Sequence, residues 1–249
     1  MKNNNKFRLD VWGAITLGTI ALYALFLLYP MAYMIRQSVL DPDTGGFTLA
    51  YFTKFFSKSY YFDTLINSFK VSITATVLSI AIGTPLAYLF TIFKIKGKSV
   101  LNILIVVASM SAPFIGAYSW ILLLGRSGVI TAFFKNLGIA IPDIYGFGGI
   151  VLVMTLQLFP LVFLYAKGAL KNIDNSLIEA AENLGCSGIA CFFKVVVPLI
   201  MPTLLAAALL VFMRSFADFG TPMLIGEGYR TFPVVLYTEF INEVGGSDG

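Results

Sequence analysis

Histidine is absent from the 249 residues, cysteine occurs twice, and Asp, Glu, Lys and Arg together make up only 12%. Without histidine there is no Ser-His-Asp or Cys-His nucleophile, no HExxH zinc site and no histidine-ligated haem. Cys186 and Cys191 cannot build a disulfide framework or a four-thiolate metal site. No GxxxxGK[ST] pattern occurs, so ATP hydrolysis cannot be placed in this chain. The charged fraction is about half that of an ordinary soluble domain, while 58% of the residues are hydrophobic and the mean hydropathy is +0.85. This is the composition of a membrane protein. The 22 Gly and 10 Pro suit it, because neighbouring helices in a membrane re-satisfy backbone groups that these residues free. The net charge of +4 is spread between apolar runs, so it reads as membrane topology and no nucleic-acid partner is expected.

Five stretches free of charge are long enough to cross a bilayer as helices: Val11 to Ile35, Val71 to Phe93, Ser99 to Gly125, Ile144 to Ala166 and Val195 to Met213. About 20 residues at 1.5 Å rise cover the hydrocarbon core. Between the second and third lies a short loop carrying Lys94, Lys96 and Lys98 and no acid, which the positive-inside rule assigns to the cytoplasm. The N-terminus with Lys2, Lys6 and Arg8 is then cytoplasmic, as is the segment 167–198; 36–63, 126–143 and the tail after Arg214 lie outside. The fold class expected is an all-α membrane protein, a polytopic helical bundle with five spans present. A sixth is expected to be missing beyond Gly245-Gly-Ser-Asp-Gly249, with a natural five-span protein as the alternative.

Small residues recur every fourth position at Ala75, Ser79, Gly83 and Ala87 and at Ala108, Ala112 and Gly116. Such stripes let helix backbones approach closely, or line a translocation path. Pro85, Pro113 and Pro160 fall within spans and are expected to kink them. No carboxylate lies mid-span, and Lys70, Arg214 and Asp218 sit at span ends, which argues against a proton relay. The aromatic-rich segment from Tyr51 to Phe62 reads as interfacial, and Glu227, Glu239 and Glu243 as an outside charge group.

The segment from Asp174 to Pro198 is the most informative. Ser176 followed by Glu179 has the spacing of a capping box, and Gly185 is placed to end the helix in the left-handed conformation. Leu177, Ala181 and Leu184 share one expected face, with Glu179 and Glu182 on another. A second helix is expected from near Ser187, with Pro198 and Pro202 marking the turn into the fifth span. An interfacial helix pair on lipid is one reading; the small Ala180-Ala181 crest favours a knob for a protein groove.

Glu179-Ala180-Ala181, three residues, Gly185, nine residues, then Val195-x-Val197-Pro198 resembles the EAA motif (EAA, x3, G, x9, I-x-L-P) of permease subunits of binding-protein-dependent ABC importers. The departures are valines at the Ile and Leu positions. The resemblance implies a bundle of the type I ABC importer permease (MetI-like) kind, divided into an N-terminal anchor span with its external segment, 1–63, and a permease core, 64–249, with a coupling loop at 167–198. It implies a multi-pass subunit of a bacterial cytoplasmic membrane, not itself an enzyme and holding no cofactor or metal. ATP and Mg would be bound by a cytosolic ATPase dimer docked on the loop through Glu179, Ala180, Ala181, Gly185, Val195, Val197 and Pro198. An external solute-binding protein and a second permease half, from the same gene, a homologue or a second copy, complete the expected partners, besides membrane lipids.

The segment from Arg214 to Gly226 resembles permeases of the ferric-iron, aminoethylphosphonate and polyamine branch, with Asp218-Phe-Gly-Thr-Pro222 nearest the ferric type. Arg214, Asp218, Gly220 and Pro222 are therefore candidates for a gate or solute path. A plain i, i+4 ion pair between Arg214 and Asp218, followed by a helix end, is the structural alternative. The solute expected is ferric iron or a related chelate or phosphonate; a polyamine is the alternative, and an ion-gradient-driven secondary transporter is the rival of another class.

Overall fold

The computed structural model describes residues 11–41, 45–93, 96–110, 112–139, 141–186 and 188–244. Lys2, Lys6, Arg8, Lys94, Ser187 and the tail from Gly245 lie outside the described residues. The chain divides into two compact units, Met1–Phe62 and Asp63–Gly249.

The first unit contains α1 (Val11–Ser38) and α2 (Ala50–Ser57), and α3 (Ser59–Ile92) begins within it. No residue of the α1 span is buried within the protein. Its hydroxyls fold back on the backbone, Thr16 to the Trp12 carbonyl at 2.8 Å and Thr19 to Ile15 at 2.9 Å, which hides them from lipid. The aromatic segment makes α2 and the first turn of α3, with Phe55 stacked on Tyr61 at 5.6 Å.

The second unit holds α3 from Asp63 onward, then α4 (Lys98–Ser109), α5 (Pro113–Leu124), α6 (Val129–Asn136), α7 (Phe147–Lys171) and α8 (Asn175–Asn183). It continues with α9 (Gly188–Ala217), α10 (Gly220–Ile225) and α11 (Phe232–Val244). Five helical stretches of the chain are long and apolar enough to cross a membrane: Val11–Ser38, Ser59–Ile92, Pro113–Asn136, Phe147–Lys171 and Gly188–Ala217. The all-α, five-span expectation holds among the described residues. α3 and α9 begin earlier than their apolar runs, because Asp63 and Lys70 are accommodated inside α3 and Lys194 inside α9.

The expected single span from Ser99 to Gly125 is two helices. Pro113 has no N–H and its ring would clash with the carbonyl of Ser109. The residue before it, Ala112, is accordingly extended, with φ −68° and ψ 140°. Pro113 therefore starts a helix instead of kinking one. The stripe Ala108, Ala112, Gly116 is disrupted with it: Ala108 and Ala112 are exposed, and the fully buried small residue is Ala117. Pro85 and Pro160 do remain inside α3 and α7.

The α3 stripe behaves as packing. Ala75, Ser79 and Ala87 are fully buried. At Gly83 a Cβ would stand 2.9 Å from the Phe159 carbonyl oxygen and from Val162 Cβ, so α3 and α7 meet backbone to backbone there. Phe90 and Phe163 close the same seam edge to face at 5.2 Å. α9 adds one continuous buried face, Val196, Ile200, Leu204, Ala207, Val211 and Ser215, at steps of three and four.

Gly83→Ala should lower the unfolding temperature of the detergent-solubilised chain, with an overpacking cost of about 1–3 kcal/mol. Gly148→Ala, where the added carbon meets no atom within 4 Å, should leave it unchanged; equal shifts in the two variants would contradict the close approach of α3 and α7.

Candidate functional site

α8 is a short helix fixed at both ends. The Asp174 carboxylate accepts the Ser176 amide at 3.0 Å and the Asp174 carbonyl accepts the Leu177 amide at 3.1 Å. Asp174, not Ser176, is thus the N-cap. Both residues are capping types, and a residue count alone does not separate them. The Ser176 amide, followed by its hydroxyl, holds the Asp174 carboxyl below its ordinary value. At the other end Gly185 has φ +85° and the Cys186 amide reaches back to the Ala181 carbonyl at 3.0 Å. This is a Schellman closure, and Gly185 takes the expected left-handed position.

The face of α8 differs from the expected one. Ile178 packs into the core formed with Phe192 and Val196, and Ala181 is half-buried. Leu177 is exposed and Leu184 is 89% exposed. Glu179 and Ala180 are exposed as well. The outward surface of α8 therefore carries an acid, a small crest and two leucines without cover.

The loop does not end in a turn at Pro198 and Pro202; both lie within continuous α9. The helix absorbs the first by widening. Phe192–Val196 is a π-helical turn in which the Val197 N–H donates to the Phe192 carbonyl, five residues back. That makes room just ahead of the Pro198 ring. α1 uses the same device, with Ala24–Leu28 as a π turn ahead of Pro30. Val195 and Val197 are half-buried and Pro198 is exposed. Cys191 is buried and Cys186 partly so, and they form no disulfide with each other.

At the other end of α9 lies a cavity of about 450 Å³. Arg214, Asp218 and Gly220 line it together with Ser109, Phe114 and Gln157. The break between α4 and α5 supplies Ser109 and Phe114 to it, and α7 supplies Gln157. Pro222 is buried in α10 and does not contribute to the lining. Gly220 must be small, since a Cβ there would approach the Phe114 ring at 3.2 Å.

The i, i+4 ion pair between Arg214 and Asp218 does not form. α9 ends at Ala217, and Asp218 leaves it extended, with ψ 124°. Its Oδ1 accepts the Gly220 amide at 2.9 Å and its Oδ2 the Thr221 hydroxyl at 2.7 Å. The carboxylate thereby caps α10. Among the described residues, ion pairs within 4.0 Å belong to Arg126, which meets Asp143 at 3.1 Å and Glu227 at 2.8 Å. Glu227, expected as part of an outside charge group, is tied to the loop after α5; Glu239 is exposed. Among the described residues no group of three metal-ligating side chains occurs.

Gln157, Ser109 and Phe114 were not foreseen as cavity residues. A signal existed for Gln157, the one amide in the run from Ile144 to Ala166. The other two depended on the helix break at Pro113.

Residues 44–245 match the family described as binding-protein-dependent transport system inner membrane component. The putative ferric transport system permease protein FbpB 1 of Haemophilus influenzae is 28% identical over 226 residues, covering 90% of this chain and 35% of that protein. The spermidine/putrescine transport system permease protein PotB of the same organism is 28% identical over 249 residues, covering 96% and 85%. The chain spans about a third of the length of the ferric permeases it matches. Among solved structures, a bacterial alginate ABC transporter in complex with an alginate pentasaccharide-bound periplasmic protein aligns with a TM-score of 0.74 at 16% identity, covering 94% of this chain and 84% of that one. The fold is that of the ABC importer permeases, and the chain belongs to the family of binding-protein-dependent transport system inner membrane components.

Proposed function

We propose that the chain is a permease subunit of an ATP-driven importer and forms one half of the pathway for a small solute. The observation that carries this is α8 itself, a helix locked by Asp174 and by left-handed Gly185, with Glu179, Ala180 and Leu184 left uncovered. A rigid exposed helix can seat in a partner's groove and pass on its motion. In this reading α8 docks on a cytosolic ATPase pair that binds ATP and Mg. The N-terminus and the 167–198 loop are then cytoplasmic, and an external solute-binding protein delivers at the opposite face. A second permease half, of the same gene, a homologue or a second copy, completes the channel. The chain itself carries out no hydrolysis.

For the solute, ferric iron or a related chelate or phosphonate is the first choice, supported by the similarity to ferric permeases and by the segment from Arg214 to Pro222. A polyamine is the second reading, favoured by the coverage of PotB, 85% of its length at 28% identity. An ion-gradient-driven transporter is the rival of another class, separated from the importer by the energy source that transport follows.

The first experiment captures the full-length gene product from membranes in mild detergent and identifies the cytosolic protein that accompanies it. A Walker-motif ATPase is expected, and transport should follow ATP supply and ignore an imposed ion gradient; the reverse dependence would install the secondary transporter. Gly185→Val cannot hold a φ of +85° without about 1–2 kcal/mol of strain, so it should lose transport while Gly185→Asn, which tolerates that conformation, retains most of it. Leu184→Asp, on a side chain 89% exposed, should leave the unfolding temperature alone yet reduce ATPase recovery by about tenfold, a loss of about 1.4 kcal/mol. Full recovery of the ATPase by both Gly185→Val and Leu184→Asp would place the docking surface elsewhere.

A further inference from the structure

The cavity at the end of α9 has an unequal hydrogen-bond account. Its single carboxylate is turned to α10, where Asp218 accepts from the Gly220 amide and the Thr221 hydroxyl. The Ser109 hydroxyl donates its proton to the Val106 carbonyl at 2.6 Å and keeps only acceptor capacity. Two donor groups in the lining have no partner. The Gln157 Nε2 is buried without a partner, and among the described residues Arg214 makes no hydrogen bond or ion pair. A buried amide without a partner costs about 1–3 kcal/mol, which an acceptor reaching the Gln157 amide would offset. Phe114 and Phe219, edge to face at 5.1 Å, provide an apolar wall beside these donors. An apolar wall with a few convergent polar groups is the usual make-up of a small-molecule site.

From this we infer that the cavity is a solute-contact site that takes a small anion through carboxylate, phosphate or phosphonate oxygens. Arg214 grips an oxyanion through its planar fork of N–H groups, and Gln157 donates to another oxygen of the same solute. A polyamine fits poorly. Its ammonium groups would meet the unpaired Arg214 guanidinium as a like charge, and the one carboxylate in the lining is oriented toward the Gly220 amide and the Thr221 hydroxyl. Naked ferric iron fits no better, since the lining includes neither histidine nor a carboxylate cluster. Iron would pass this point only inside an anionic chelate. The inference rests on the importer reading and chooses between its two solute classes.

The test uses the full-length chain in nanodiscs of phosphatidylcholine, with citrate, methylphosphonate and spermidine as calorimetric probes. Wild type should bind at least one of the two anions and not spermidine. Arg214→Gln should weaken that anion's binding about tenfold or more, as expected for loss of a charge-assisted pair, with Arg214→Lys intermediate and the unfolding temperature of each variant unchanged. Gln157→Leu should weaken it as well, without creating spermidine binding. Binding of spermidine alone, of none of the probes, or of the anions equally by wild type and Arg214→Gln overturns the inference. Capture of the ATPase is scored on the same preparations. If the ATPase is recovered while anion binding ignores Arg214, the site falls and the importer reading stands. If Arg214-dependent anion binding occurs with no ATPase recovered, the site stands and the importer reading falls.

Discussion

The close approach of α3 and α7 at Gly83 is the constraint on which the second unit depends. Lipid supplies no hydrophobic force between helices, so association rests on van der Waals fit and on polar groups that find partners inside the protein. A missing side chain at Gly83 lets the Phe159 carbonyl and Val162 come within what would be 2.9 Å of a Cβ. With α7 held there, its buried residues Val162, Phe163 and Ala166 meet α9 residues Val196, Ile200 and Leu204 in one cluster. The same helix carries Gln157 to the cavity and ends at Lys171, three residues before the Asp174 cap. A seam of two backbones thus sets the position of both the exposed loop helix and the cavity.

The two places share a second element. α9 runs unbroken from Gly188, directly after the loop, to Ala217, beside the cavity. Its 30 residues make a rod of about 45 Å at 1.5 Å rise. In the proposed importer, this rod is the connection through which a push on α8 reaches the solute. Its buried stripe keeps it seated on α7 along most of its length.

Much of this was legible in the residues, and the parts that were not have specific causes. Gly185 was readable because a left-handed helix end almost requires glycine. The α3 stripe was readable because buried small residues at every fourth position have one economical use in a membrane. Asp174 and Ser176 could not be told apart as caps by type, and the choice went to the residue whose carboxylate reached the second amide of the helix. The face of α8 was misassigned because Leu177, Ile178 and Leu184 are equally apolar, and only the position of the core decides that Ile178 turns inward. The span from Ser99 to Gly125 was misjudged because absence of charge was counted ahead of Pro113. The expected pair of Arg214 with Asp218 assumed that the helix continued, whereas it stops between them and frees the carboxylate to cap the next one.

That last difference determines what the cavity can do. Had α9 continued by one turn, Asp218 would have neutralised Arg214, and the cavity would have been lined by an ion pair with no preference between solutes of either sign. Ending the helix at Ala217 separates the two charges, and α10 takes up the negative one through the Gly220 and Thr221 amides and the Thr221 hydroxyl. Gly220 lets α10 lie close to Phe114, where a Cβ would stand 3.2 Å from the ring. Which of the two charges is left without a partner therefore follows from where a helix stops, and the stop is secured by a cap that orients the acid toward α10.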